Sequence, residues 1–153
     1  MKKIIITFIS LIIGILSRAQ TVNEHYYFKN LSSQNGLSQN TVSAILQDSK
    51  GFMWFGTKDG LDRYDGVSFR HFKYDRNNPR SLGNNFVTSL YEDIEGNIWV
   101  GTEIGGINLL TPNCLQTYVW QYNYLRETSL SPNPVNAISE DKDGNLWVGT
   151  VEG

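Results

Sequence analysis

The chain has 153 residues, a formal net charge of −2 and one cysteine, Cys114, and its lysines and arginines are scattered, which argues against a nucleic-acid-binding surface. The lone cysteine excludes an internal disulfide, and no Cys/His cluster has metal-ligand spacing, so we expect no metal site and no cofactor. With 12% aromatic and 18% charged residues, the composition favours a β-rich core over long solvated helices.

The N-terminus has the anatomy of a secretory signal peptide. Lys2 and Lys3 precede an apolar run at 4–16, and small residues, Ser17 and Ala19, stand at the positions that a signal peptidase reads. The apolar run is shorter than the ~20 residues that span a bilayer, and an uncleaved anchor is the alternative interpretation. We therefore predict a signal peptide at 1–19, a mature chain that starts at Gln20, and a periplasmic location.

An internal repeat occupies most of the remaining sequence. Segments of 24 residues that begin at Leu37, Leu82 and Leu130 align without a gap, with spacings of 45 and then 48 residues. Nine columns are identical in all three copies: Leu, Asn, Val, Asp, Gly, Trp, Gly, Thr and Gly. Residue frequencies alone would supply about 0.1 such columns.

Each complete repeat predicts four strands. The first lies at 40–47, 85–92 or 133–140, and an Asp-x-x-Gly turn follows it. The apolar runs FMWFGT, NIWVGT and NLWVGT lack alternation, which predicts a second strand buried on both faces. The third strand is predicted at 61–64 or 107–110, and the last at 67–74 or 115–122. Stretches rich in Pro, Asn and Ser, such as 75–81, are typical of loops.

A four-stranded antiparallel unit of about 45 residues that packs between like units is a β-propeller blade. We expect an all-β fold with blade 1 at 37–80, blade 2 at 81–128 and a truncated blade 3 at 129–153, about two and a half blades in all. Propellers close with about four to eight blades, so we expect this chain to be the N-terminal fragment of a longer protein. In the segment 20–36, residues 25–31 are predicted to form an outermost strand that closes the propeller by pairing with strands encoded beyond Gly153.

The repeated residues are interpreted as structural. Aromatic rings can stack on sugars, but a tryptophan at the same place in every apolar strand favours packing between blades. The turn residues likewise serve backbone geometry, and one carboxylate per repeat offers no cluster for calcium. The structural set is Asp48, Gly51, Trp54, Gly56, Thr57, Asp93, Gly96, Trp99, Gly101, Thr102, Asp141, Gly144, Trp147, Gly149 and Thr150.

The phrase NxVxxIxxDxxGxLWVGTxxGL, present in three registers over 37–153, resembles the two-component regulator propeller repeat. The first copy departs mildly, with Phe52, Met53 and Phe55 in place of the usual residues, and the second has an extra glycine before Ile107. This resemblance implies the periplasmic sensor region of a hybrid two-component histidine kinase of the Bacteroidetes type. The implied parent is anchored by its own transmembrane helix, senses glycan breakdown products and regulates transcription through phosphorelay.

The resemblance also implies the partners: an oligosaccharide ligand of the full-length sensor and the remaining blades of the parent chain, with homodimerisation left open. Kinase motifs are absent from this sequence, so we expect the chain itself to be no enzyme. His25 and His71 have no nucleophile motif nearby, and no catalytic residue is assigned.

Two other functions remain open. One is a secreted propeller that acts as a scaffold or adhesion protein. The other is an exported propeller enzyme, such as a lyase or a quinone-dependent dehydrogenase. An enzyme needs His, Glu or Arg clustered around the central channel, whereas the arginines here are isolated at Arg63, Arg76, Arg80 and Arg126.

The sequence does not identify the ligand-binding residues, because fold alone does not locate a site. Variable positions are better candidates than repeated ones, although each also fits an ordinary solvated loop. These candidates are the loops Asp75–Arg80 and Asn123–Thr128, together with Lys58, Asp59, Glu103 and Ile104.

Overall fold

The computed structural model of the protein describes residues 27–111, 117–120 and 134–151. The chain divides into two compact units, Met1–Asn30 and Leu31–Gly153, and every described strand belongs to the second. The predicted signal peptide at 1–19 lies outside the described residues, and its cleavage stays a prediction.

The first four strands form one antiparallel sheet in which each strand pairs with the next along the chain. Strand β1 (Val42–Gln47) pairs with β2 (Met53–Thr57), β2 with β3 (Gly60–Tyr64), and β3 with β4 (Phe69–Phe72). A short 3-10 helix, Ser33–Asn35, precedes the sheet.

The second sheet repeats this order, with β5 (Val87–Glu92), β6 (Ile98–Thr102), β7 (Ile107–Leu110) and β8 (Thr117–Trp120). The third sheet contains β9 (Val135–Glu140) paired with β10 (Leu146–Thr150). The all-β prediction of four-stranded antiparallel blades is therefore confirmed, and the described sheets do not close into a ring.

The observed strands lie close to the predicted ones: β3 begins one residue earlier than predicted, and β7 has the predicted bounds. Each first strand begins at its valine, two residues later than predicted, and the outer strand β4 has four residues instead of eight. Strand β4 is short because β3, its pairing partner, has only five residues.

A bulge recurs in the first strand of all three sheets and links neighbouring sheets. It leaves Ser43 and Thr88 as the extra residues of β1 and β5. The Ser43 hydroxyl donates to the carbonyl of Val87, and the Thr88 hydroxyl donates to the carbonyl of Val135. The bulge thus turns a hydroxyl towards the next sheet, which is a known use of this irregularity.

In the first two sheets, the glycine of the Gly-Thr pair is required by the next sheet. A Cβ added to Gly56 would lie 2.5 Å from Cγ1 of Val87, and one added to Gly101 would lie 2.7 Å from Cγ1 of Val135. Both valines are fully buried. Gly and Val therefore recur together because the valine of one sheet fills the space that the missing side chain of the previous sheet leaves.

The buried apolar core spans the first two sheets. Its members are Trp54, Leu61, Leu82, Val87, Ile98, Val100 and Leu110. Contacts join β1 to β5 and β5 to β9, so the sheets stack in chain order. The second strands were predicted to be buried on both faces. Strand β6 fits this prediction best, since only Trp99 is partly exposed, whereas the residues of β10 alternate between partly buried and exposed.

Residues 27–31 contain no strand. The predicted pairing of 25–31 with strands beyond Gly153 is therefore not seen in this chain, and it stays a prediction. Residues 25 and 26 lie outside the described part.

Candidate functional site

The turn between β1 and β2 is organised by a single carboxylate. Asp48 Oδ1 accepts hydrogen bonds from the backbone N–H of Lys50 at 3.0 Å and of Phe52 at 2.8 Å. Asp48 Oδ2 accepts from Trp54 Nε1 at 2.8 Å. Gly51 supplies the positive φ of 88° that the turn needs. The aspartate therefore joins the turn to the tryptophan of the next strand.

The second and third repeats build the same turn. Asp93 binds Trp99 Nε1 at 2.8 Å, and Asp141 binds Trp147 Nε1 at 2.9 Å. This explains why Asp, Gly and Trp recur at fixed spacing.

Hydrogen bonding also changes the acidity of these aspartates. Burial acts to raise the pKa of Asp93, but hydrogen bonds from Asn97, Trp99 and Glu95 outweigh it and hold the pKa below its usual value. The hydrogen bond from Trp147, followed by those from Asn145, lowers the pKa of Asp141 to about 2. Both carboxylates are thereby kept ionised and occupied by donors of the protein.

A glutamate at the end of each following first strand reaches back to this turn. Glu92, at the end of β5, accepts from the backbone N–H of Ser49 at 2.8 Å and from its hydroxyl at 2.7 Å. Glu140, at the end of β9, accepts from the backbone N–H of Ile94 at 3.1 Å. These contacts hold neighbouring sheets together at the edge where the turns lie.

A cavity of about 140 Å³ opens between the first two sheets at this edge. Arg63 on β3 lies over the Phe52 ring, with its guanidinium carbon 4.4 Å from the ring centroid, and is 5.8 Å from the Trp54 ring. Lys50, Glu92, Thr111 and the apolar side chains of Ile98 and Leu110 complete much of the lining. The cavity lining therefore brings together two cationic side chains, the carboxylates of Asp48 and Glu92, and apolar side chains that are almost completely buried.

The four charged side chains in the lining of this cavity differ in their hydrogen bonds and ion pairs within the protein. Asp48 and Glu92 accept hydrogen bonds from the protein, as described above. Among the described residues, Lys73 forms an ion pair with Asp59 and His71 lies 2.7 Å from Asp62, and neither contact involves Lys50 or Arg63. The two carboxylates are therefore held by neutral donors of the protein, and their charges balance those of Lys50 and Arg63 in the lining.

The corresponding space between the second and third sheets is larger and more open, about 600 Å³. It is acidic, with Glu92, Asp93, Glu140, Asp141 and Asp143 in its lining. Nevertheless, within the described residues no group of three or more His, Cys, Asp or Glu is placed to hold a metal ion.

A separate cluster brings Ser38, Asp62 and His71 together. Asp62 is fully buried and accepts from the Ser38 backbone N–H at 2.7 Å, from its hydroxyl at 2.6 Å and from His71 Nδ1 at 2.7 Å. Ser38 and Asp62 both contact Nδ1 of the histidine, whereas a catalytic triad places them on opposite ring nitrogens. The second repeat has Gly83, Asn108 and Val119 at these positions, and Asn108 Oδ1 accepts from Gly83 N at 2.7 Å. The cluster thus connects the segment before β1 to the third strand of the same sheet, β3, by hydrogen bonds.

Where the structure describes them, the variable positions singled out from the sequence lie away from the cavity. Lys58, Asp59, Glu103 and Ile104 follow the second strands, at the end of the sheets opposite to the aspartate turns. Lys73 Nζ donates to Asp59 at 2.6 Å, and none of these residues lines the cavity. The loop Asp75–Arg80 is exposed, and the loop Asn123–Thr128 lies outside the described residues.

The tryptophans differ in environment although their sequence context is the same. Trp54 is 2% exposed, Trp99 is partly buried and Trp147 is 65% exposed. Trp54 is thus buried and Trp147 exposed, because the described structure places a second sheet over the first and no further sheet against the outer face of β9 and β10.

Stacked four-stranded antiparallel sheets, joined by the same contacts at each step, define the β-propeller class of proteins. The family model of the two-component regulator propeller matches residues 36–59, 81–103 and 129–152. The three repeats of this chain therefore belong to the two-component regulator propeller family.

The comparisons with solved structures agree. The chain is similar to the extracellular domain of a protein assigned as a hybrid two-component system, BT3049 of B. thetaiotaomicron, with a TM-score of 0.73 and 31% identity. That match covers 81% of this chain and 18% of the other. The extracellular domain of BT4673, assigned as a one-component system of the same organism, matches with a TM-score of 0.50 and 22% identity over 82% of this chain and 25% of the other, which supports the fold alone.

Among curated proteins, Histidine kinase P4 of Formosa agariphila is 44% identical over 57 residues. These residues make up 37% of this chain and 4% of the kinase, so the chain spans a small part of its relatives. Within the described residues no helix is long and apolar enough to cross a membrane.

Proposed function

We propose that this chain is part of the extracytoplasmic, ligand-sensing propeller of a hybrid two-component sensor histidine kinase. In this proposal the parent protein senses glycan breakdown products and regulates transcription through phosphorelay. The observation that carries the proposal is the likeness to the extracellular domain of the BT3049 hybrid system, at 31% identity and a TM-score of 0.73. The similarity to Histidine kinase P4 supports it from a second comparison.

The proposal includes an order of segments along the chain. A signal peptide at 1–19 directs export, the segment 20–36 leads into the propeller, and blades follow at 37–80, 81–128 and 129–153. The three stacked sheets support this division, since each lies within one of the proposed blades. The parent is anchored in the inner membrane and presents these blades to the periplasm.

The packing of the sheets suggests how a propeller can report a ligand. The first two sheets meet through a buried valine, a hydroxyl and a glutamate, so they behave as bodies with a defined contact surface. A ligand held between them touches both sheets at once. It shifts the protein towards the arrangement that binds it more tightly, and such a rigid-body change can be passed on to neighbouring domains.

A gene deletion tests the proposal. In the organism that encodes this chain, we expect deletion of the gene to abolish induction of a set of transcripts during growth on one class of glycan. Reintroduction of the intact gene should restore induction. If induction on every glycan of a broad panel is unchanged, the sensor function is wrong. Loss of adhesion with normal induction would favour a secreted scaffold.

A further inference from the structure

The outer face of the third sheet exposes apolar side chains. Trp147 is 65% exposed, whereas Trp54, at the same place in the first sheet, is 2% exposed. A groove of about 250 Å³ runs across this face, and Trp147, Gly149 and Ala137 are among the residues that line it. An exposed apolar surface that contains a large aromatic side chain is typical of an interaction site.

Gly149 leaves a space on this face that no described residue fills. In the first two sheets the equivalent glycines, Gly56 and Gly101, face a valine of the next sheet. A Cβ added to either glycine would lie 2.5 or 2.7 Å from Cγ1 of that valine. A Cβ added to Gly149 would meet only Ala137 of its own sheet, with the nearest atom at 3.6 Å. The third sheet therefore has the space for a valine, and the described residues supply none.

A backbone donor at the third turn also lacks the acceptor that its counterparts have. The backbone N–H of Ser49 and that of Ile94 each donate to a glutamate at the end of the next first strand. Lys142 stands at this position in the third turn. No described residue accepts a hydrogen bond from its backbone N–H. The turn is thus ready to bind a further glutamate.

The bulge residue of β9 shows the same pattern. In β1 and β5 the bulge residues, Ser43 and Thr88, donate their hydroxyl to the carbonyl of a valine in the next sheet. Asn136 is the bulge residue of β9, is exposed, and has a side-chain amide that can donate in the same way. Within the described part of the chain this amide has no acceptor.

Two occupants could cover this face: the first sheet of a second copy, or a further sheet of the parent protein. The first strand of a second copy presents Val42 but ends in Gln47, whereas both described interfaces use a glutamate at that place. Both covered faces are covered by the sheet that follows in the same chain. The similar BT3049 domain is matched over 18% of its length, so a relative has chain for further sheets. These observations favour a sheet of the parent protein.

We propose that the outer face of β9 and β10 is the docking surface for a fourth sheet of the parent protein. The first strand of that sheet begins with a valine that fills the space beside Gly149. It ends with a glutamate that accepts from the backbone N–H of Lys142. The Asn136 amide donates to the carbonyl of the same valine, and Trp147 becomes buried. The docking surface does not depend on what the sensor binds, so it stands or falls separately from the glycan-sensing proposal.

The burial of Trp147 is tested in the full-length natural protein that contains this chain. Hydroxyl-radical labelling followed by mass spectrometry measures how fast each tryptophan is oxidised. We expect Trp147 to be protected to about the same extent as Trp54, and the protein unfolded in urea gives the rate without protection. Oxidation of Trp147 at the unprotected rate in the folded protein overturns the proposal.

Gly149→Ala tests the close approach of the valine. We expect this variant to lower the Tm by about 2–8 °C, because the added Cβ overpacks against the docked side chain. Gly101→Ala is the matched reference, since it makes the same change in an interface that the structure shows. Without a fourth sheet, the methyl group at position 149 would make an ordinary contact with Ala137. An unchanged Tm for Gly149→Ala, beside a lowered Tm for Gly101→Ala, therefore overturns the valine contact.

Photo-crosslinking identifies the occupant. With p-benzoylphenylalanine in place of Trp147, we expect links to the sheet whose first valine follows Val135 by about 45–48 residues, the spacing of the repeats. Mixing isotope-labelled and unlabelled protein separates links within one chain from links between copies. The same probe in place of Trp99 is the control and should link to β9. Links between copies that join position 147 to Val42–Gln47 identify a second copy as the occupant and overturn the proposal, as do links to any other segment.

Discussion

The contact between Gly56 and Val87 gives a quantitative test of how the sheets stack. A Cβ at position 56 would lie 2.5 Å from Val87 Cγ1, 3.1 Å from Val87 Cβ and 3.3 Å from Ala44 Cβ. Carbon atoms pack best at about 3.5–4.0 Å, so the two sheets must separate by about 1 Å to admit it. We expect Gly56→Ala to lower the free energy of unfolding by about 1–3 kcal/mol, as overpacking does.

Removing the opposing side chain should relieve this strain. Val87→Ala alone deletes two fully buried methyl groups and should cost about 2 kcal/mol, from about 0.8 kcal/mol each plus a cavity term. In the double variant the methyl group added at position 56 occupies the space that Cγ1 of Val87 leaves. The double variant should therefore be about as stable as Val87→Ala, with a coupling energy of about 1–3 kcal/mol.

The assay is urea unfolding of the natural protein followed by circular dichroism, with equal slopes required before free energies are compared. Val67 is 90% exposed, so Gly56→Ala combined with Val67→Ala is the matched control and should be additive. If Gly56→Ala and Val87→Ala also add within about 0.5 kcal/mol, the close approach of the two sheets is not the reason for this glycine.

Three further predictions follow from single features. Trp54→Ala should cost about 4–6 kcal/mol, since an indole buries about 150–250 Å² and Trp54 is 2% exposed, and unchanged urea unfolding would contradict the packing role. Trp147→Phe removes the largest cause that lowers the pKa of Asp141 to about 2, so carboxyl NMR should show that pKa rising. A lowered pKa of Asp141 stabilises the folded state at pH values above the unfolded pKa of about 3.9, and this stabilisation is lost as the pH falls towards 2. In the variant the stabilisation should be lost at a higher pH. An unchanged pKa of Asp141 would contradict the role of the hydrogen bond from Trp147. Finally, N-terminal sequencing of the exported protein should begin at Gln20, and an intact Met1 in a soluble cytoplasmic fraction would contradict the signal peptide.

Local patterns in the sequence are sufficient to predict the blades. The Asp-x-x-Gly turn and the apolar run after it depend on hydrogen bonds and φ angles within a few residues, and these are the same in every copy. The hydrogen bond from the Lys50 backbone to Asp48 therefore follows directly from residue type and spacing. The ends of the outer strand β4 do not follow from residue type and spacing, because they depend on the length of its pairing partner, β3.

The candidate site could not be predicted in the same way. The sequence shows Phe52 as a mild departure from the repeat and Arg63 as an isolated arginine, but nothing in their spacing shows that the side chains meet. Strand pairing sets Arg63 opposite Trp54, and this brings the guanidinium over Phe52. The signal that could have found the site is the contrast between copies, since Lys50 and Arg63 replace a glutamate and a leucine of the second repeat.

The sequence by itself determined the repeating unit, its strand order and the residues that close each turn, because those features arise from interactions within one repeat. Only the tertiary structure decided what each repeat contacts. Trp54 is buried and Trp147 is exposed although their local sequences match, since a second sheet lies over the first and no described sheet lies over the third. Burial and the composition of a groove depend on which surface is opposite, and that surface comes from residues about 45 positions away in the chain.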